Sequence, residues 1–293
     1  MNERAGGAML IRAMPLVFVL LWSTGFIVAR YGMPLAPPMT FLALRYSFSI
    51  LCLLLWIMLA GISWPSTRIQ WLHLSVTGLL MHGGYLGGVW AAVKAGMGSG
   101  LIALIVGLQP VLTAFWLSFT GGHVTRRQWA GLVLGFAGLV LVVSRKLGAG
   151  GEADAFNLSL AIFALFCITT GTLYQKRFVT PCDVRSANTV QLLAALLVTL
   201  PMALLEAESI RWNAEFAGAM AWSVLVLTLG ASSLLYMLIH RGAATAVTSL
   251  LYLVPPTTAV MAWVLFSEPI TPVTLAGTAL TALGVSLVVK AAR

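Results

Sequence analysis

Ten apolar stretches of membrane-crossing length leave this chain little choice of architecture. A bilayer core needs about 20 apolar residues per helix. The 293 residues divide at charged or Pro/Gly-rich interruptions into such stretches at approximately 14–32, 38–60, 70–93, 98–119, 125–144, 157–178, 185–205, 216–240, 245–266 and 270–290. The connectors are short and leave no room for an extramembrane catalytic domain. A transmembrane barrel would alternate apolar and polar residues, whereas Leu51-Cys52-Leu53-Leu54-Leu55-Trp56 is apolar on every side. Only 9% of the residues are charged, against roughly 25% in a soluble domain, and the mean hydropathy is +0.97. These values exclude a water-soluble globule and a soluble enzyme on one anchor. The fold expected is an all-α polytopic membrane protein with ten transmembrane helices. The run from Met14 to about Tyr31, after Arg4 and Arg12, is longer than a signal-peptide core and lacks a small-residue cleavage site; it reads as the first span.

The net charge of +9 is distributed singly and in pairs, without the clustered basic face of a nucleic-acid surface. Instead it reports topology. With the N-terminus in the cytoplasm, eleven bases fall inside (Arg4, Arg12, Arg68, Arg126, Arg127, Lys176, Arg177, Arg185, Arg241, Lys290 and Arg293) and five outside (Arg30, Lys94, Arg145, Lys146 and Arg211). The positive-inside rule therefore places both termini in the cytoplasm of an integral plasma-membrane protein, the inner membrane in a bacterium. Cys52, Cys167 and Cys182 suit neither a disulfide frame nor a metal site. No metal or cofactor is expected.

One internal register runs the length of the chain, a shift of 146 residues. Thr125, Ala130, Gly131, Leu134 and Gly138 return as Thr271, Ala276, Gly277, Leu280 and Gly284. Pro110 falls on Pro256, Gly96 on Gly242, Gly84 on Gly230, and Thr24-Gly25 on Thr170-Gly171. The chain thus divides into repeats at 1–146 and 147–293. Five spans per repeat is an odd number, so the second repeat is inverted relative to the first, the arrangement by which many carriers build two gates around one central site.

Trp22-Ser23-Thr24-Gly25-Phe26, Phe41-Leu42-Ala43-Leu44-Arg45 and the Pro…Gly spacing of the fourth-to-fifth and ninth-to-tenth segments resemble the EamA repeats of the drug/metabolite transporter superfamily. The stretch from Ser267-Glu268-Pro269 through Gly277 to Gly284 is the best match, and Gly122-His123 departs from the pattern where a glutamate often follows. Within the superfamily the chain looks most like the YddG-type amino-acid exporters. The resemblance covers nearly the whole chain and implies a carrier that exports amino acids, aromatic and other neutral ones included, or similar small metabolites.

Polar groups inside spans are expected to face the bundle interior or a wet cavity. In the third span Gly78, His82, Tyr85 and Val89 share a helical face and Trp90 follows, offering hydrogen bonds and flat apolar surface to a small zwitterion. The eighth span carries Thr228, Ser232, Ser233 and Tyr236, and the 146 shift sets Thr228 on His82 and Tyr236 on Trp90. Trp22, Gln109, Tyr174 and Tyr252 complete the candidate substrate-binding set; for Tyr174 and Tyr252, interhelix packing is an equally good reading. Pro110, Pro255 and Pro256 occupy corresponding positions, each removing a backbone donor, and are candidate hinges. Arg45, within the second span, is expected to snorkel or to pair with Glu268 in preference to binding substrate. The glycine stripes of the fifth and tenth spans read as packing surfaces, with a dimer contact as a further option.

No acid is assigned to the interior of a span, so a cycling carboxylate for proton coupling is lacking. Facilitated, uncoupled export by alternating access is the leading expectation, with a proton-coupled drug or metabolite exporter of the same fold as the alternative. From another class, a non-transporting scaffold subunit would have a dry, packed interior. An intramembrane enzyme would need paired carboxylates, a metal cluster or a nucleophile with its base, and the spans present none of these patterns. The partners expected are the lipid bilayer and a small-molecule substrate, without nucleic acid, for a monomer or homodimer.

Overall fold

The computed structural model describes residues 2–119, 125–146, 153–231, 233–234 and 253–291, and what it describes is helical throughout the spans. Helix α1 is Asn2–Gly32 and α2 Pro38–Ala60. Helix α3 runs from Arg68–Gly78 through a π-helical segment, Leu79–Leu86, into Gly87–Lys94. Helix α4 comprises Ser99–Val106 and Gln109–Phe119, α5 is Arg126–Lys146, α6 Ala155–Phe178 and α7 Val184–Leu204. Helix α8 is Ala214–Ala221 continued in π form through Trp222–Ala231, α9 is Val254–Phe266 and α10 Pro272–Ala291.

Local chemistry sets the ends. Pro38 opens α2, where a missing N–H costs nothing, and Gly61 closes it at φ 60°, a left-handed conformation that suits glycine. Asp154 and Asn157 form a reciprocal capping box at the start of α6. Asp183 and Asn213 accept backbone N–H groups at the starts of α7 and α8. Helix α4 is interrupted at Gly107-Leu108, immediately before Pro110, whose missing N–H leaves the carbonyl four residues earlier without a helical donor.

Six helices among the described residues are long and apolar enough to cross a membrane: Pro38–Ala60, Ser99–Trp116, Arg126–Lys146, Ala155–Phe178, Val184–Leu204 and Ala214–Ala231. Leu16–Gly32, Val254–Phe266 and Pro272–Leu287 are shorter apolar helices. The ten spans expected from the sequence are therefore met in part. Helix α3 is outside both sets because His82, Tyr85 and four glycines, Gly83, Gly84, Gly87 and Gly88, dilute its hydropathy. It has no need of a greasy exterior: Gly87, Gly88, Val89 and Trp90 are buried, and α6 and α7 pack along it. By contrast Leu55, Met58, Leu59, Leu197 and Leu205 are exposed, as lipid-facing side chains should be.

The glycines decide how closely helices approach. A Cβ on Gly78 would collide with the backbone of Gln191 on α7, and one on Gly84 would lie 2.5 Å from Cys167 Sγ on α6. Gly84 and Gly88 thus bring α3 against α6, whereas the position of a Cβ on Gly83 is open. Around Gly83 the space is open, whereas atoms of α2 or α6 stand within 4 Å of where a Cβ on Gly84, Gly87 or Gly88 would lie. Helices α5 and α10 pack against each other on their glycine stripes: Gly138 meets Gly277, and Gly284 meets Gly131 and Gly135. These contacts are reciprocal, since the 146 shift carries Gly131 onto Gly277 and Gly138 onto Gly284. The stripes are consumed within the molecule.

Candidate functional site

Helices α1, α2, α3, α6 and α8 surround a cavity of about 120 Å³ lined by Trp22, Gly25, Phe26, Arg45, Met81, His82, Tyr85, Leu86, Val89, Trp90, Ile168, Leu227, Thr228 and Ala231. Of its polar wall, His82, Tyr85 and Thr228 come from the two π-helical segments and Arg45 from α2. A π turn bonds residue i to i+5, widening the helix and re-aiming side chains, and such turns are frequent at functional sites. The 146 shift carries Leu79–Leu86 onto residues 225–232, which nearly coincides with the second π segment, Trp222–Ala231. The same distortion therefore recurs at positions related by the 146-residue shift.

Side chains hold these turns in place. Tyr46 donates its phenolic O–H to the His82 carbonyl at 2.7 Å, and its ring stands edge-on to the imidazole. Thr228 Oγ1 donates to the Ser223 carbonyl five residues earlier at 3.0 Å. That leaves the Thr228 lone pairs facing Arg45, whose Nε and Nη2 both reach Oγ1 at 3.3 Å. Trp90 is 1% exposed and stacked on Phe41 with ring centroids 4.3 Å apart, so it forms a rigid floor. His82 Nδ1 is buried and has no hydrogen-bond partner among the described residues.

Of the residues singled out in the sequence, the structure brings Trp22, His82, Tyr85 and Trp90 together on this cavity. Gln109 and Tyr174 are not among its lining residues. Gln109 Nε2 donates to Thr172 Oγ1 at 2.9 Å, tying α4 to α6. The Tyr174 hydroxyl meets His73 Nδ1 at 2.8 Å and its ring packs on Phe178; both residues use their polarity for contacts between helices. Tyr236 and Tyr252 lie outside the described residues. Pro110 stands in the first turn after the break in α4, and Pro255 and Pro256 in the first turn of α9. The two helices meet there, since a Cβ on Gly107 would lie 2.6 Å from Pro255 Cγ.

The expected pairing of Arg45 with Glu268 is not formed, and Arg45 does not snorkel. Glu268 accepts from the Ser99 and Gly100 backbone N–H groups at 2.9 and 3.3 Å, capping α4, where a helix N-terminus favours a carboxylate. Arg45 instead points inward, 8% exposed, into the cavity. Its inward orientation is what the sequence reading did not anticipate. Its signal was present: a cation in a span, in a chain with no acid assigned to any span, must find its counter-charge elsewhere.

Carboxylates at the end expected to face outward are engaged in the same manner as Glu268. Glu206 accepts from Met39 N, Thr40 N and Thr40 Oγ1 at 3.0, 2.7 and 2.7 Å, capping α2. Lys94 joins Glu208 at 2.6 Å and donates to the Met33 carbonyl. At the opposite end Arg185 hydrogen-bonds Asp183 and holds its carboxyl below the usual carboxylate range, against a weaker opposing effect of burial. Burial, aided by Asp183, pushes the neighbouring Cys182 thiol up.

The sequence model of the EamA-like transporter family matches this chain twice, over residues 8–144 and 155–290. The chain is 24% identical over 243 residues to the "Uncharacterized inner membrane transporter YedA" of Escherichia coli (strain K12), covering 83% of this chain and 78% of that one. It is 24% identical over 191 residues to a "Probable amino-acid metabolite efflux pump" of Salmonella typhimurium, covering 64% and 61%. A solved crystal structure superposes with a TM-score of 0.67 at 17% identity, over 96% of this chain and 97% of its own, a likeness of fold.

Proposed function

This chain belongs to the EamA-like transporter family, and on that premise we propose that it exports amino acids, aromatic and other neutral ones included, or similar small metabolites across the plasma membrane by alternating access. That it is a membrane transporter follows from the family; the substrate and the mechanism are our reading. One observation carries it. The cavity is walled by side chains from both family-matched segments, Trp22, Arg45, His82, Tyr85 and Trp90 from the first and Ile168, Leu227, Thr228 and Ala231 from the second, so relative movement of the two halves would open it alternately to either side. A scaffold subunit has no use for such a pocket. The printed name of the Salmonella relative supports the substrate class.

In this reading the repeats are 1–146 and 147–293, inverted, with both termini cytoplasmic. His82, Tyr85, Trp22 and Trp90 contact substrate, and Pro110, Pro255 and Pro256, near where α4 and α9 meet, serve as hinges. The cavity lining contains no carboxylate, which supports movement without proton coupling. The test is flux into proteoliposomes of purified protein with radiolabelled amino acids, sugars and organic cations, with and without a pH gradient. Amino-acid flux above empty vesicles in the absence of a gradient is expected. No flux of any compound overturns the transport reading of the cavity, and a strict requirement for the gradient overturns the uncoupled mechanism.

A further inference from the structure

Among the described residues, Arg45 is a buried cation without a counter-ion. Two of its donors share one neutral hydroxyl, that of Thr228, at 3.3 Å, and that hydroxyl's proton is committed to the Ser223 carbonyl. A buried charge held only by a neutral group carries a large desolvation cost. No acid among the described residues meets it. Asp154, Glu206 and Glu268 cap helices, while Asp183 and Glu208 pair with Arg185 and Lys94. Glu215 is exposed in the first turn of α8. Glu3 stands about five turns of α1 away from Trp22, and Glu152 is outside the described residues. Residues 235–252, outside the described residues, contain neither Asp nor Glu. With the described acids engaged elsewhere, a ligand can supply the counter-charge.

The cavity says what kind. Arg45 and His82 line one space, the His82 Nδ1 is buried without a partner among the described residues, and buried polar groups left without partners in a native fold mark a place where something else binds. A guanidinium fork matches a carboxylate in two parallel hydrogen bonds. The remaining wall, Trp22, Phe26, Leu86, Val89 and Trp90, suits a flat or branched apolar body. No lining residue is a carboxylate that would receive an ammonium, and the Arg45 charge repels one.

We propose that Arg45 is the anion-binding residue of this cavity and that the transported molecule bears a carboxylate, a monoanion being accepted ahead of the zwitterion with the same body and a cation not at all. The monoanion brings the site to neutrality, whereas the zwitterion leaves its ammonium without a partner. This inference rests on the reading of the cavity as a transport site and narrows its substrate class.

The experiment is calorimetric binding to purified protein, paired with proteoliposome flux, for two matched sets: 3-methyl-2-oxobutanoate, valine and isobutylamine, and phenylpyruvate, phenylalanine and phenethylamine. In at least one set the oxo acid binds about tenfold tighter than the amino acid, a difference of about 1.4 kcal/mol, and the amine does not bind. Arg45→Gln weakens the oxo acid by about thirtyfold or more, as truncating one side of a buried charge pair does. Arg45→Lys keeps the charge and loses the fork, so affinity falls while the order of anion over amine is kept. Should Arg45→Gln not survive purification, Arg45→Lys decides alone. An amine binding as tightly as its oxo acid, unchanged affinity in either variant, or no carboxylate bound in either set overturns the proposal. Arg45-dependent binding without flux of any compound would leave the anion site standing and remove the transport reading. Flux of sugars or cations untouched by Arg45→Gln would do the reverse.

Discussion

Two tryptophans on the cavity perform different tasks. Trp90 is fully buried against Phe41, so Trp90→Ala removes a core side chain and is expected to cost about 3–5 kcal/mol, seen as a lowered melting temperature in detergent together with lost flux. Trp22 is only partly buried and faces the cavity. Trp22→Ala should lower flux several-fold with the melting temperature nearly unmoved, and equal melting losses for the two variants would contradict this division. His82, Tyr85 and Trp90 were legible because three polar or aromatic residues on a glycine-rich helix stand out in an apolar sequence. Gln109 and Tyr174 looked the same in the sequence but bind Thr172 and His73, since a side chain's hydrogen bond can end on a neighbouring helix as readily as on a ligand. Nothing in local sequence separates the two cases.

At the scale of elements, the packing of α5 on α10 is a prediction about volume. Gly138→Leu or Gly284→Leu places a side chain where the facing backbone already is and is expected to lower stability by roughly 1–3 kcal/mol or more, while Gly83→Ala, with open space around it, is nearly neutral. Thermal unfolding in detergent checks the contrast. The start of α7 yields a pH dependence. The Asp183 carboxyl, held low by Arg185, contributes stability that is present above its unfolded pKa of about 3.9 and lost as pH falls through its lower folded value. Asp183→Ala should therefore destabilise at pH 7, by about 1 kcal/mol for loss of the cap, and the gap from wild type should close well below pH 4. The break in α4 was foreseeable from Pro110. The π turns were not, because they depend on tertiary bonds such as Tyr46 to the His82 carbonyl, and the glycines of α3 serve contacts with α6 and α7 that a helical wheel cannot show.

For the whole molecule, sidedness can be read from one cysteine. The loop carrying Cys182 is cytoplasmic in the proposed topology, so an impermeant maleimide should label it in inside-out vesicles and not in intact cells; labelling from the cell exterior would invert the assignment. Because burial raises the thiol's pKa, labelling should be slow near neutrality and accelerate as the pH rises. The sequence by itself determined the helical class and the 146-residue register, because these depend on composition and order along the chain, and a bilayer accepts few alternatives to apolar helices. It also supplied the family resemblance. Only the tertiary structure decided which polar residues share a cavity and that Glu268 caps α4 while Arg45 is left facing inward without a carboxylate. Those outcomes depend on which side chains from distant segments come within about 3 Å of each other, and a hydrogen bond fixed at that distance cannot be read from spacing within a single helix.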